Sequence, residues 1–293
     1  MLKHPLLLIP VVIILMMVCS CSSKEKEERA SHYVLVSIAP YKFFVEQIAG
    51  GTVEVGQMIP TGGSPHSYEP TAKQILAASE ADIWFQIGEP FETRATQALQ
   101  SHRPSMKFID MREGLDLIAE TSHDDHHQRC PHHGCTDPHI WLSPRMVKQQ
   151  AARIADALAK QYPEHAQQYQ DRLRTFQEKL GQLDQEISKQ LLPIKNQTIV
   201  VSHPSYAYFG RDYGLKQLSI EFEGKEPTPQ QLTQILNNAR KLNTRTVFVQ
   251  PQHHGKGARL FANELDAKIV VLDPLSENYL ENMRKIARSF SEK

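Results

Sequence analysis

The chain has 293 residues, 40% of them hydrophobic and 23% charged, and its 33 basic and 33 acidic side chains leave no formal net charge. That balance excludes a nucleic-acid partner, because a duplex-binding protein needs a basic face to displace counterions and no cluster of lysine or arginine supplies one. The length suits one large domain or two smaller ones.

At the N-terminus, Lys3 precedes a nearly unbroken apolar run from Pro5 to Val18, followed by small polar residues. The run is about 14 residues where a membrane span needs roughly 20, so residues 1–20 read as a secretory signal peptide. The segment Val18-Cys19-Ser20-Cys21 resembles the lipobox of bacterial lipoproteins, with Ser20 as the small residue before the cut and Cys21 as the lipidated thiol. Residues 22–32 are polar and cannot bury surface, which predicts a flexible tether between the anchor and a fold that starts at Tyr33. An extracytoplasmic location follows, lipid-anchored to the cell membrane or periplasmic.

Short β-branched runs then alternate with helical stretches, the pattern of an α/β protein with parallel sheets. Four strands are expected at Tyr33 to Ala39, Val53 to Ile59, Ile83 to Ile87 and Lys107 to Asp110. Four more fall at Thr198 to Ser202, Leu215 to Ile220, Thr246 to Gln250 and Lys268 to Leu272. Between these groups, Pro144 to Leu192 has no strand signal and reads as two helices. Ser143 caps the first, with Pro144 at its first position, and Pro163 ends it. The second places Ala166, Tyr169, Leu173, Phe176, Leu180, Leu183, Ile187 and Leu191 on one stripe. A coiled-coil dimer would use such a stripe; the preferred reading is a monomer in which this helix lies across both halves and joins them. The expected partition is an N-terminal lobe at 33–162, a linking helix at 163–192 and a C-terminal lobe at 193–293.

Six of the 14 histidines fall in the string HDDHHQRCPHHGCTDPH at 123–139, with three aspartates and two cysteines. Imidazole and thiolate are the ligands that borderline metals prefer, so His123, His126, His127, His132 and His133 form a candidate accessory metal loop. Cys130 and Cys135 within it can instead pair as a disulfide in an oxidising compartment. Four other residues sit where strands or helices begin and end: His66 after the second strand, His139 before the first connector helix, and His203 and Asp273 directly after strands. In open parallel sheets, ligands bind outside the carboxyl ends of strands, so these four can face one cleft. His253 and His254 follow another strand and read as ordinary loop residues. Tyr206, Tyr208 and Phe209 read as core or cleft wall.

The strings GGSPHSYEPT, DPHIWLSP, SHPSYAYFGRDYGL, EPTPQQL and VVLDPLSENYLENM resemble, in order, the signature segments of the zinc- and manganese-binding solute-binding proteins of bacterial ABC transporters. The resemblance implies two α/β lobes, each with a mainly parallel four-stranded sheet flanked by helices, joined by one long backbone helix, with the metal in the cleft between them. It places the metal ligands on His66, His139, His203 and Asp273, with water as the alternative fourth ligand. Three imidazoles and a carboxylate suit tetrahedral Zn2+, whereas Mn2+ favours more oxygen, and manganese members often carry glutamate where this chain has His203. The implied role is capture of zinc and delivery to an ABC permease and its ATPase. A manganese or iron carrier of the same class, or an adhesin or zinc buffer without a transporter, are the alternatives. No HExxH or other compact hydrolytic motif occurs, so no enzyme is expected.

Overall fold

The computed structural model describes residues 32–119, 136–221, 227–252 and 256–292. The signal segment, Cys21, the accessory histidines His123, His126, His127, His132 and His133, the cysteines Cys130 and Cys135, and His253 and His254 lie outside them.

The first sheet contains β1 (Tyr33–Val36), β2 (Glu54–Gln57), β3 (Ile83–Gln86) and β4 (Lys107–Asp110), all parallel, in the order β2-β1-β3-β4. The second repeats that plan with β5 (Thr198–Val201), β6 (Lys216–Ser219), β7 (Thr246–Val249) and β8 (Lys268–Val271), in the order β6-β5-β7-β8. The central strands β1, β3, β5 and β7 are nearly continuous Val, Ile, Leu, Phe and Trp, as strands covered on both faces must be. In each sheet the chain moves to one side and then the other of the first strand, so each has a switch point where side chains beyond two strand ends can meet. The expected strands were placed correctly and drawn up to three residues too long. The run after Val36 is still apolar, but Ser37 begins a bend and α1 (Ala39–Ala49) opens there with Pro40 in its first turn. Apolarity alone does not separate a buried strand from the buried start of a helix.

Five more helices flank the sheets: α2 (Ala72–Ala78) and α3 (Pro90–His102) in the first lobe, and α6 (Ala207–Tyr213), α7 (Pro229–Lys241) and α8 (Lys256–Glu264) in the second. The connector comprises α4 (Pro144–Gln161), a 3-10 turn at Pro163–His165 and α5 (Ala166–Leu191). The Ser143 hydroxyl caps α4 by accepting the Met146 amide at 3.1 Å. Helix α5 has 26 residues, about 39 Å at 1.5 Å per residue. Its stripe, Tyr169 through Leu191, is buried against α1, α4 and the C-terminal helix α9 (Tyr279–Ser291). The stripe is therefore consumed within one chain, and each of its large side chains contributes roughly 1.5–3 kcal/mol by leaving water. Only Ala166 is not fully buried.

One apolar core runs from the first sheet through α1, α4, α5 and α9 to Ile199, Val201 and Phe248 of the second sheet. A smaller core, centred on Phe261 and Val247, lies beneath α7 and α8. Directed bonds also cross between the lobes. The Trp141 indole donates to the Pro274 carbonyl at 2.9 Å, the Tyr279 hydroxyl to the Trp141 carbonyl at 2.8 Å, and the Tyr208 hydroxyl to the Asp137 carbonyl at 2.8 Å. Tyr206, Tyr208 and Phe209 are buried, as expected of core and cleft wall. Among the described residues, no helix is long and apolar enough to cross a membrane.

Candidate metal centre

Three of the four singled-out residues meet where the lobes face each other. His66 lies in a 3-10 turn (Pro65–Ser67) beyond β2, His139 at the start of another (Ile140–Leu142) ahead of α4, and His203 just past β5. The His66 and His203 Nε2 atoms are 3.0 Å apart, and those of His203 and His139 are 3.3 Å apart. A tetrahedral zinc with Zn–N bonds of about 2.0–2.1 Å separates its ligand nitrogens by roughly 3.3 Å, so the spacing fits without rebuilding the backbone. His139 and His203 are buried, with side chains 7% and 5% exposed, while His66 is 30% exposed and forms the solvent side of the cluster.

Each imidazole is oriented by its own carboxylate. His66 Nδ1 is 3.2 Å from Glu89, His139 Nδ1 is 2.7 Å from Asp137, and His203 Nδ1 is 2.9 Å from Glu221. An ionised carboxylate can only accept, so each partner fixes the Nδ1–H tautomer and turns an Nε2 lone pair toward the common point. Three converging lone pairs backed by three carboxylates are the electronic complement of a divalent cation. Asp137 also accepts the His139 backbone amide at 2.8 Å, which fixes its own rotamer. Replacing Glu221 with glutamine should weaken metal binding roughly 10–100-fold, the usual effect of losing such a partner. Chelator competition measures this; an unchanged affinity would mean that Glu221 does not orient His203.

Beneath Glu89 lies a second buried acid. Gly88, at φ 93°, makes a turn that a side-chain-bearing residue would adopt only with strain, and it brings the amides of residues 87–89 onto the Glu92 carboxylate. The Glu92 carboxylate also receives the Ser37 hydroxyl, which in turn accepts the Trp84 indole at 3.0 Å. Burial pushes the Glu92 carboxyl up to about 7, and these hydrogen bonds offset only part of that rise. Because the folded value lies above the ordinary value of 4.5, the folded chain keeps a proton that the unfolded chain releases between the two. The contribution to stability is complete below about pH 4.5 and lost as pH rises through about 7. At about 1.4 kcal/mol per unit, the parent should lose up to about 3 kcal/mol across that window relative to Glu92→Gln. Denaturant unfolding of both proteins at several pH values checks this; parallel stability curves would show that Glu92 is ionised throughout.

Asp273 stands apart. It is not among the side chains whose ligand atoms lie within 4.8 Å of one another, a group formed by His66, His139 and His203. Its Oδ1 accepts from the Gln252 amide at 2.7 Å and from the Leu275 backbone at 2.9 Å. Asp273 lines a small recess beside the histidines that shares Gln252 and Leu275 with theirs. Sequence reasoning did not single out Glu89, Asp137 or Glu221. The signal was present: Glu89 and Glu221 follow the ends of β3 and β6, the same strand-end position that marked His203, and Asp137 is two residues from His139.

Two parallel α/β lobes on a long backbone helix, with histidines converging between them, define a metal-binding solute-binding protein of the ABC-transporter type. Residues 34–293 match the family model of zinc-uptake complex component A, periplasmic, and the chain belongs to this ZnuA family. Proteins of this family are transport binding proteins, not enzymes. The crystal structure of ZnuA superposes with a TM-score of 0.83 at 37% identity, over 89% of this chain and 98% of that one. A ZnuA deletion mutant with zinc bound gives 0.81 at 36% identity, over 89% and 96%. A Chlamydia muridarum protein named for metal binding is 35% identical over 260 residues, 88% of this chain and 90% of its own length. The zinc-binding lipoprotein AdcA of Streptococcus pneumoniae is 27% identical over 268 residues, and this chain spans 54% of its length.

Proposed function

We propose that this protein captures zinc outside the cytoplasm and delivers it to an ABC permease driven by a cytoplasmic ATPase. The observation that carries the reading is the convergence of three Nε2 atoms whose tautomers are set by Glu89, Asp137 and Glu221. His66, His139 and His203 are the ligands in this reading. The fourth position belongs to water, or to Asp273 once its carboxylate leaves Gln252 and Leu275. A nitrogen-rich, nearly tetrahedral set favours zinc over manganese, a harder ion that suits oxygen donors. Family membership and the zinc-bound ZnuA deletion mutant support the same metal. Signal cleavage before Cys21, lipidation of that cysteine and a polar tether complete the reading, with residues 33–162 and 193–293 as the lobes, 163–192 as the link, and a monomer as the working form. The histidines at 123–133 gather zinc loosely for transfer to the cleft.

Metal analysis of protein purified without added metal, followed by zinc and manganese competition, tests the proposal. One tightly held zinc is expected, and preferential retention of manganese would overturn the metal assignment.

A further inference from the structure

At the opposite end of the first sheet, beside the amino end of β1, a second set of metal-ligating side chains comes together. His32 immediately precedes β1, whereas the cleft histidines lie beyond the carboxyl ends of strands or ahead of α4. Glu164 and His165 occupy the 3-10 turn between α4 and α5. One ligand atom from each of His32, Glu164 and His165 lies within 4.8 Å of the others, and the His32 Nε2 is 3.3 Å from a Glu164 carboxylate oxygen.

The two histidines are held by the fold. The His32 carbonyl accepts the Glu54 amide at 2.9 Å, extending the β1–β2 ladder by one rung. Its ring lies against Tyr162 at 4.2 Å between centroids and meets the His165 ring nearly edge-on at 6.4 Å. Tyr162 is 2% exposed, and its hydroxyl is anchored on Asp82 at 2.8 Å, so the surface beneath His32 is fixed. The His165 amide donates to the Tyr162 carbonyl at 3.1 Å, and its ring contacts Tyr169 at 5.9 Å. Glu164 is the adjustable member, with a side chain 53% exposed.

We infer that His32, Glu164 and His165 form a second, solvent-open site for a borderline divalent transition-metal ion. Two imidazoles and a carboxylate are a common zinc donor set, and water fills the fourth position at such an open site. The ion draws the three donors to the roughly 3.3–3.5 Å edges of a tetrahedron, mainly by rotation of Glu164. An exposed site with no tautomer-fixing carboxylate beside it among the described residues binds more weakly than the cleft. Its occupation ties the residue at which the polypeptide enters the fold to the turn joining α4 and α5. The inference is independent of the cleft, because none of its residues touches the cleft histidines.

The test uses the full chain and zinc ions alone. Zinc-soaked crystals, with diffraction recorded on both sides of the zinc absorption edge, should show an anomalous peak among His32, Glu164 and His165 in addition to the cleft. In solution, equilibrium dialysis of the parent against buffered zinc should retain one more zinc per chain than H32N/E164Q, with the tight equivalent unchanged in both. The histidine-rich loop is common to both proteins and cancels in the difference. E164Q alone changes only an exposed side chain and should by itself weaken that extra equivalent, which guards against a double variant that fails to fold. Absence of the peak when the cleft is full, or equal zinc retention by parent and variants, would overturn the site. Failure of the cleft would show separately as loss of the tight equivalent.

Discussion

Replacing His203 with glutamine should lower zinc affinity by more than the roughly 10–100-fold expected from removing an outer carboxylate such as Glu221. His203 is the hub of the cluster. Its Nε2 is the atom that both His66 and His139 approach, at 3.0 and 3.3 Å. Glutamine is nearly the same length and keeps a carbonyl acceptor, so packing of this buried position against Glu221 is largely preserved while the imidazole donor is lost. The replacement Asp273→Asn is the informative control. With its Oδ1 already held by Gln252 and Leu275, Asp273 should matter less than any of the three histidines. Chelator competition with the parent and both variants orders these effects. If Asp273→Asn matched His203→Gln, the carboxylate would be a full ligand, reached by a local rearrangement of the Asp273 loop.

The second large effect is on pH dependence. Zinc binds neutral imidazole, so protons compete at each ligating histidine, and the affinity of a three-histidine site falls with a slope approaching about three in log units per pH unit once the solution is acidic enough to protonate free imidazole, near about pH 6.5. His203→Gln should reduce that slope to about two. A carboxylate-dominated site behaves differently, because free carboxylates stay ionised to about pH 4. The measurement is competition against a chelator of known proton binding across this range. A shallow slope in the parent, or the same slope in parent and variant, would remove His203 from the ligand set and with it the principal chemical argument for zinc over manganese.

Much of this architecture could be read from the sequence because its signals are local. Parallel strands covered on both faces announce themselves as apolar runs, and Ser143-Pro144 and Pro163 mark the connector helices within a residue or two. The stripe from Tyr169 to Leu191 was equally legible as a stripe, but not its partner. A coiled coil and an internal backbone helix demand the same periodicity, and only the presence of α1, α4 and α9 against it decides between them. The site was legible in part for the same reason. Histidines at strand ends are rare enough to notice, whereas Glu89 and Glu221 share the strand-end position but belong to a residue type so common in solvated loops that position alone does not mark them. Their distances from His66 and His203 are tertiary facts, created when segments 23 and 18 residues apart fold against one another. Asp273 shows the limit of the same signal: a strand-end position says that a side chain is near the cleft, but not which neighbours hold it.

The hydrogen bonds from Trp141 to Pro274, from Tyr279 to Trp141 and from Tyr208 to Asp137 have a kinetic consequence. Together with a core continuous from one sheet to the other, they weld the lobes, so a wide clamshell opening would sever packing as well as polar ties. Residence time at the metal centre would then be governed by a smaller valve. His66 is the solvent-side ligand and rides on a short turn after Gly62 and Gly63, outside the bonds that weld the lobes. An incoming ion would meet the two buried histidines as a fixed seat and His66 as the latch. Release of the ion would require only that this one turn be pulled aside, a far smaller displacement than parting two lobes.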